Sequence, residues 1–174
     1  MRNWATRAVG ELAHRRDEIN ALNVFPVPDS DTGSNMAHTM EAAVAELDNG
    51  GDVADSLALG AVRGARGNSG MVLSQVLRGV AESTVDSVID GDVFARSLQQ
   101  AVELVDRAIA EPVEGTVITV LKAAAEAADD AEAQSGATLH SIVSAAIAAA
   151  ETALERTPSQ LPALREAGVV DALS

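Results

Sequence analysis

The sequence predicts an all-α fold, and three observations support this prediction. Apolar residues recur three or four positions apart along nearly the whole chain, which is the period of an α-helix. Alanine, the best helix former, is the commonest residue. No segment shows the alternation of apolar and polar residues that is typical of a half-buried strand. We therefore expect a bundle of antiparallel helices joined by short connections.

Start and stop signals divide the chain into eight predicted helices. Asp52, Asp92 and Thr138 are suited to cap the helices that follow them, and Pro158 and Pro162 are expected to bracket a short last helix. In chain order, the predicted helices span 3–22, 34–48, 53–65, 69–83, 92–110, 116–130, 138–156 and 159–167.

Apolar stripes indicate which helix faces are buried. The first helix carries a stripe that begins at Trp4 and ends at Leu22. The segment 71–80 is apolar over a wider arc, so the fourth helix should lie deepest in the core.

Length and composition predict one domain with a closely packed core. The 174 residues suit a single domain, and 47% of them are hydrophobic, which argues against intrinsic disorder despite a net charge of −14. Only 2% of the residues are aromatic, so small side chains must fill the core. We expect residues 1–174 to form one domain, which is also compatible with the N-terminal part of a longer chain.

The charge and the missing cysteines exclude several function classes. The chain has 12 basic residues against 26 acidic ones and a single lysine, Lys122, which argues against binding to nucleic acid or to an anionic membrane surface. The absence of cysteine excludes disulfides, a thiol nucleophile and thiolate metal centres. No stretch resembles a signal peptide or a membrane span, so we expect a cytoplasmic protein without stable membrane insertion.

The segment 23–36 does not look like an ordinary connection between helices. It reads Asn-Val-Phe-Pro-Val-Pro-Asp-Ser-Asp-Thr-Gly-Ser-Asn-Met, and its prolines impose an extended backbone. A turn at Ser30 would let Asp29 and Asp31 converge on a hard cation. The alternative is that Asp29, Asp31 and Ser34 only cap the next helix, which composition alone does not exclude.

Two glycine-bearing segments are suited to bind phosphate. Gly33, Ser34 and Asn35 open one predicted helix, whose free N–H groups and positive dipole end attract anions. The segment 64–70, Gly-Ala-Arg-Gly-Asn-Ser-Gly, precedes another helix, although a tight helix–helix turn explains it equally well. Neither segment is a Walker A loop. Arg66 is suited either to meet a phosphate or to pair with an acid, and we expect His38, His14 and His140 to be structural.

The segments 23–36 and 64–75 resemble the two signature segments of the DhaL-type nucleotide-binding domain, named after the ADP-binding subunit of dihydroxyacetone kinase. They are more similar to the N-terminal domain of bacterial fatty acid kinase catalytic subunits (FakA-like). A shorter likeness covers 114–116 and 167–171, so the resemblance spans most of the chain. It implies an antiparallel barrel of eight α-helices with the nucleotide at one rim.

The resemblance also implies the site residues. Asp29 and Asp31 match the acids that bind Mg²⁺, two ions in all, and carry catalysis, and Asn23 lies near the third metal ligand. The implied ATP or ADP contacts are Thr32, Gly33, Ser34, Asn35, Asn68, Ser69, Gly70, Thr116 and Asp171. Thr32 stands where dihydroxyacetone kinases carry a histidine, which favours the fatty acid kinase branch. Ser30 departs from the usual glycine, and a positive φ there would strain the loop.

The activity implied by the resemblance is transfer of the ATP γ-phosphate to a fatty acid carboxylate held by a separate carrier protein of the DegV type. Such an acceptor is ionised near pH 7 and needs no general base. Two alternatives remain open: a dihydroxyacetone kinase-like ADP-binding subunit, and a nucleotide-binding scaffold or sensor without turnover. A homodimer is also left open.

Overall fold

The computed structural model describes residues 1–173 and confirms the all-α prediction. Over that range it contains eight α-helices and, apart from one isolated bridge between Val85 and Val88, no β-structure. In chain order, the helices are α1 (Arg2–Leu22), α2 (Thr32–Glu46), α3 (Val53–Gly64), α4 (Gly67–Ser83), α5 (Gly91–Ala108), α6 (Val117–Glu132), α7 (Leu139–Gln160) and α8 (Pro162–Ala167). A short 3₁₀ turn, Leu47–Asn49, follows α2. Among the described helices, none is both long and apolar enough to cross a lipid bilayer.

Each helix packs against the next one in the chain, and two further pairs, α2 with α4 and α5 with α7, complete the bundle. The first four helices share one core, in which Met40 and Leu57 are fully buried. Helices α5, α6 and α7 share a second core around Ile142. Val72, Val105 and Ile118 join the two halves through α4, α5 and α6.

Small residues bring the helix axes together, as the composition predicts. A Cβ atom added to Gly79 on α4 would lie 2.7 Å from the backbone nitrogen of Ala101 on α5. The same addition at Gly60 on α3 would lie 2.5 Å from the carbonyl oxygen of Ala42 on α2. Because these distances are shorter than any carbon contact allows, only glycine permits the observed packing.

The helices alternate in direction, so the bundle has two distinct ends. At one end, the Arg2 guanidinium donates to the carbonyl oxygen of Leu47 over 3.0 Å, which joins the start of α1 to the end of α2. At the same end, the hydroxyl of Ser87, which follows α4, donates to the carboxylate of Asp52, which precedes α3. The connections at the opposite end surround the candidate site.

Pro158 was predicted to lie just before the last helix, but it lies inside α7, which continues to Gln160. A proline inside a helix has no N–H for the carbonyl four residues earlier, which here is that of Leu154. The hydroxyl of Thr157 donates to that carbonyl oxygen over 2.8 Å and replaces the missing bond. The last helix therefore begins only at Pro162, at the first-turn position where proline is tolerated.

Three further predictions about the helices were wrong in detail. Helix α5 is capped by Asp90, which accepts from the N–H of Val93, whereas Asp92 lies in the first turn. Trp4 is 55% exposed, because the buried face of α1 is the one that carries Ala5. Helix α2 begins at Thr32, two residues earlier than predicted. The predicted caps at Asp52 and Thr138 are confirmed.

Candidate functional site

A cavity of about 690 Å³ opens at the second end of the bundle. It lies between the connection from α1 to α2, the starts of α4 and α6, the end of α5 and the segment that follows α8. The lining residues are Asn23, Phe25, Pro26, Val27, Asp29, Asp31, Thr32, Gly67, Asn68, Ser69, Met71, Val72, Ala108, Ile109, Ala110, Glu111, Val113, Thr116, Val117, Asp171 and Leu173.

Most of the residues that the sequence singles out meet at this cavity, although they come from four separate parts of the chain. Those that line it are Asn23, Asp29, Asp31, Thr32, Asn68, Ser69, Thr116 and Asp171. The remaining four, Gly33, Ser34, Asn35 and Gly70, do not line it.

Gly33 and Ser34 hold α2 against α1 behind the cavity. A Cβ atom on Gly33 would lie 2.4 Å from the carbonyl oxygen of Arg16, so α1 passes directly over this residue. The side chain of Asn20 accepts from the Ser34 N–H over 3.1 Å and donates to the Ser34 hydroxyl over 3.0 Å. The first turn of α2 is therefore fixed from the side of α1.

Asn35 and Gly70 bring α2 close to the start of α4. A Cβ atom on Gly70 would lie 2.4 Å from the hydroxyl oxygen of Thr39, and one on Gly67 would lie 2.5 Å from the Asn35 amide nitrogen. These contacts place the first turns of α2 and α4 side by side. The two predicted phosphate-binding segments are thus neighbours in the fold.

The loop with the two acids has a left-handed residue between them. Ser30 has φ of 55°, and this conformation turns the chain between Asp29 and Asp31. The amide nitrogen of Asn23 donates to the Asp29 carboxylate over 2.8 Å. Asp31 occupies the N-cap position of α2, but its side chain makes no capping hydrogen bond. Neither carboxylate caps α2, so the capping alternative does not account for the pair.

Several polar side-chain atoms at the cavity have no partner within residues 1–173. They are the amide oxygen of Asn23 and the hydroxyls of Thr32 and Ser69. In this described range, no fully buried polar side-chain atom lacks a hydrogen bond. These three oxygens are therefore exposed to solvent. Because their residues line the cavity, the solvent that the oxygens contact is the solvent that fills the cavity.

The helix N-termini differ between the two ends of the bundle. Helices α3, α5 and α7 begin at the far end, and the side chains of Asp52, Asp90 and Thr138 cap them. Helix α1 also begins at the far end, but without a side-chain cap. Helices α2, α4 and α6 begin at the cavity, and their N-cap residues make no side-chain cap, although Asn20 accepts from the Ser34 N–H in the first turn of α2. Since uncapped N–H groups and the positive end of the helix dipole attract anions, the cavity end is suited to bind phosphate.

Comparison with known proteins decides the family. The profile of the DAK2 domain matches residues 26–172. The chain belongs to the DAK2 domain family. This family is related to dihydroxyacetone kinases, and its DhaL-type domains bind ADP or ATP.

Close relatives of this DAK2 domain are found in two bacterial species. Protein YloV of Bacillus subtilis strain 168 is 41% identical over 166 residues, which cover 92% of this chain and 30% of YloV. Uncharacterized proteins of Staphylococcus aureus strains USA300 and NCTC 8325 are each 40% identical over 166 residues, with the same shares covered. The chain therefore spans 30% of the length of these relatives.

The wall of this DAK2 domain's cavity is acidic and, in the described chain, has no basic side chain. Asp29, Asp31, Glu111 and Asp171 line it, and no lysine or arginine does so in the described chain. Arg66 lies just outside with an exposed side chain and makes no ion pair within residues 1–173. A triphosphate in such a cavity needs divalent cations to offset the repulsion between its charges and the carboxylates.

The residues of the acidic loop fit Mg²⁺ chemically. Mg²⁺ takes oxygen ligands, usually one or two carboxylates together with water and phosphate oxygens. Asp29 and Asp31 supply the carboxylates, and the open amide oxygen of Asn23 is a neutral oxygen beside them. Within residues 1–173, no three acidic or histidine side chains group as a metal centre. The remaining ligands would therefore come from the nucleotide and water.

Two parts of the cavity wall were not predicted from the sequence. Glu111 and Val113 belong to the connection between α5 and α6, in a part that precedes the likeness at 114–116 and carries no motif of its own. The apolar wall from Met71, Val72 and Leu173 arises from helix packing, so no local pattern indicates it. The apolar run before Asp29 was the one sequence signal for an apolar cavity wall, because three of its residues, Phe25, Pro26 and Val27, line the cavity.

Proposed function

We propose that this DAK2 domain binds ATP together with Mg²⁺ and transfers the γ-phosphate to the carboxylate of a fatty acid held by a separate carrier protein of the DegV type. The observation that carries the proposal is the meeting, at one cavity, of three helix N-termini whose N-cap side chains make no cap with a pair of acids, of which Asp29 is oriented by Asn23. That combination recognises phosphate oxygens and the cations that accompany them.

The metal supports the transfer through charge. Asp29 and Asp31 would hold Mg²⁺, and the ion would offset the negative charge of the triphosphate. The N-termini of α2 and α4 add the protein's own positive potential, since no basic side chain lines the described cavity. The Thr32 and Ser69 hydroxyls, which are open to the cavity, are placed to donate to phosphate oxygens.

A carboxylate acceptor needs no general base, and the side chains lining the described cavity that could act as one are all carboxylates, those of Asp29, Asp31, Glu111 and Asp171. No histidine, lysine or cysteine lines the described cavity. A carboxylate oxygen attacks the γ-phosphorus, the bond to the oxygen bridging the β- and γ-phosphates breaks, and ADP leaves with the electron pair. No proton has to be removed, because the fatty acid is already ionised near pH 7. An alcohol acceptor such as dihydroxyacetone, in contrast, must lose its proton.

An apolar part of the cavity favours an apolar acceptor. Phe25, Pro26 and Val27 line the cavity, and Val27 is 58% exposed. An acyl chain gains free energy by contact with such a surface, whereas a small polyol gains little from it. The resemblance of Thr32 to the fatty acid kinase pattern points the same way.

The test combines ATP, Mg²⁺ and a fatty-acid-loaded carrier and measures acyl phosphate by trapping with hydroxylamine. Because the chain spans 30% of the length of relatives such as YloV, a full-length protein that contains such a domain is assayed beside this chain. Acyl phosphate from the full-length protein, lost in Asp31→Asn, supports the proposal. Phosphorylation of dihydroxyacetone without acyl phosphate would favour the dihydroxyacetone kinase alternative. ATP binding without either product in the full-length protein would favour a sensor or scaffold.

A further inference from the structure

The segment after α8 forms part of the cavity wall, and its path is set by backbone geometry. Gly168 ends α8 with φ of 70° and ψ of 29°, a left-handed conformation. The Val169 N–H then donates to the carbonyl oxygen of Leu164 over 3.1 Å. This is the 6→1 hydrogen bond of a Schellman motif, which reverses the chain after a helix. The reversal directs the following residues back to the cavity.

Two residues of this segment are anchored. Leu173 packs against the core that α4, α5 and α6 share. Asp171 lines the cavity although it is only 5% exposed, and its carboxylate accepts from the Leu173 N–H over 3.3 Å. The Asp171 backbone N–H donates to the hydroxyl oxygen of Thr157 on α7 over 3.1 Å. One of the contacts that hold Asp171 in position therefore comes from a side chain of α7.

Thr157 is oriented by the proline that follows it. Its relative exposure is 0%, and its hydroxyl donates to the Leu154 carbonyl oxygen, which Pro158 leaves without a backbone donor. A hydroxyl has one hydrogen to donate and two lone pairs that accept. Since its hydrogen is committed to Leu154, the oxygen presents a lone pair to the Asp171 N–H. A proline within a helix removes a backbone hydrogen bond, and here the Thr157 hydroxyl replaces it.

We infer that Thr157 is a positioning residue of the nucleotide site: through the carbonyl left open by Pro158, it holds the Asp171 backbone at the cavity wall. Asp171 then presents its carboxylate as a hydrogen-bond acceptor to the bound Mg²⁺–nucleotide. This inference rests on the proposed nucleotide binding, and it adds a residue that lies outside the cavity lining.

The first experiment measures the dissociation constant of Mg²⁺–ATP by isothermal titration calorimetry. Thr157→Val keeps the shape and removes the hydroxyl, so it should weaken binding about tenfold, the equivalent of one lost buried hydrogen bond. Thr157→Ser keeps the hydroxyl and should bind within about twofold of the wild type. The matched control is Thr84→Val, which removes a hydroxyl that donates to the Val80 carbonyl oxygen at the far end of the bundle over 2.7 Å. It should leave the affinity unchanged.

A double-mutant cycle separates positioning from general loss of stability. If Thr157 acts through Asp171, Thr157→Val should weaken binding by less than about twofold when Asp171→Asn is already present. Equal losses in both backgrounds would overturn the inference. Unchanged ATP affinity in folded Thr157→Val would overturn it as well. If wild-type protein fails to bind Mg²⁺–ATP, the proposed function itself fails, and that outcome is distinct.

A measurement on the wild type keeps the inference testable if Thr157→Val does not fold. Hydrogen exchange should show the Asp171 amide protected in the nucleotide-free protein, because it donates to a fully buried hydroxyl. Protection should rise further with Mg²⁺–ATP. Exchange at the rate of an open loop, or protection that the nucleotide does not change, would contradict the inference.

Discussion

The amide nitrogen of Asn23, at the end of α1, donates to the carboxylate of Asp29 over 2.8 Å. This bond orients both side chains before any ligand arrives. The amide oxygen of Asn23 has no donor within the described residues and is open to the cavity. One hydrogen bond therefore orients both residues that we propose as oxygen ligands of Mg²⁺.

Replacing Asn23 by alanine removes both the support of Asp29 and a neutral oxygen. A hydrogen bond to a charged group contributes about 1.5–3 kcal/mol, so we expect Asn23→Ala to weaken Mg²⁺-dependent ATP binding at least about tenfold. Calorimetric titration measures the effect. The matched control, Asn49→Ala, alters an exposed asparagine after α2 at the far end and should bind like the wild type. Equal affinity of the Asn23→Ala and Asn49→Ala proteins would contradict the assignment.

Ser30 adopts φ of 55°, which strains any residue that carries a Cβ atom. Ser30→Gly should therefore raise the free energy of unfolding by about 0.5–1 kcal/mol. The control Ser30→Ala keeps the Cβ atom and should give no such gain. Urea denaturation measures both variants. ATP affinity should be unchanged in Ser30→Gly, because the loop already has the turn that glycine allows; a loss of affinity would show that the hydroxyl itself is needed.

Two glycines on neighbouring helices should respond to alanine with opposite signs. A Cβ atom on Gly33 would collide with the Arg16 backbone at 2.4 Å, so Gly33→Ala should lower the free energy of unfolding by about 1–3 kcal/mol. Gly10, within α1, has nothing within 4 Å of such an atom. Gly10→Ala should raise the free energy of unfolding by about 0.5–1 kcal/mol, since alanine is the better helix former. Chemical denaturation of both variants tests the packing of α1 on α2. Equal changes in the free energy of unfolding for Gly33→Ala and Gly10→Ala would contradict that packing.

The far end of the bundle should show acid-dependent stability through Asp52. The hydrogen bond from Ser87 is the largest cause that lowers the pKa of this carboxyl, followed by the backbone N–H groups of Asp55 and Ala54. Because the folded pKa lies below the unfolded one, ionised Asp52 stabilises the fold at neutral pH. The contribution is lost as the pH falls below about 4, through the folded pKa.

The measurement compares melting temperatures of wild type and Asp52→Asn at neutral pH and near pH 3. Asparagine is also a good N-cap, so this change isolates the charge. The wild type should melt higher at neutral pH, and the difference should shrink in acid. Ser87→Ala should reduce the difference at neutral pH, because it removes the largest cause of the lowered pKa. A difference that stays constant over this range would contradict the account.

The helices could be predicted because their signals are local. Asp52 and Thr138 stand directly before the turns that they cap, so their roles depend on residues within one turn. The position of Pro158 was predicted wrongly because helix-breaking rules consider only the backbone. In α7 the Thr157 hydroxyl replaces the hydrogen bond that Pro158 removes, so the helix continues through the proline. Trp4 was predicted wrongly because it lies at the edge of its stripe: Ala8 and Leu12 of that stripe pack against the core beside Ala5, whereas Trp4 stays exposed.

The candidate site was partly predictable for a similar reason. Asp29, Asp31 and the segment 64–70 form contiguous motifs, and the fold brings them to one cavity. Glu111 could not be found, because it reaches the cavity only through the packing of α5 and α6. Gly33 has a packing partner, the Arg16 carbonyl, that no sequence motif indicates.

The most direct test of the account is an ATP titration with and without Mg²⁺, on wild type and on Asp31→Asn. Asp130→Asn, which removes the same charge near the end of α6 and away from the cavity, is the matched control. The account predicts that wild type and Asp130→Asn bind ATP only when Mg²⁺ is present, and that folded Asp31→Asn loses this binding by about a hundredfold or more. Equal ATP affinity in all three proteins, or wild-type binding that does not depend on Mg²⁺, would contradict it.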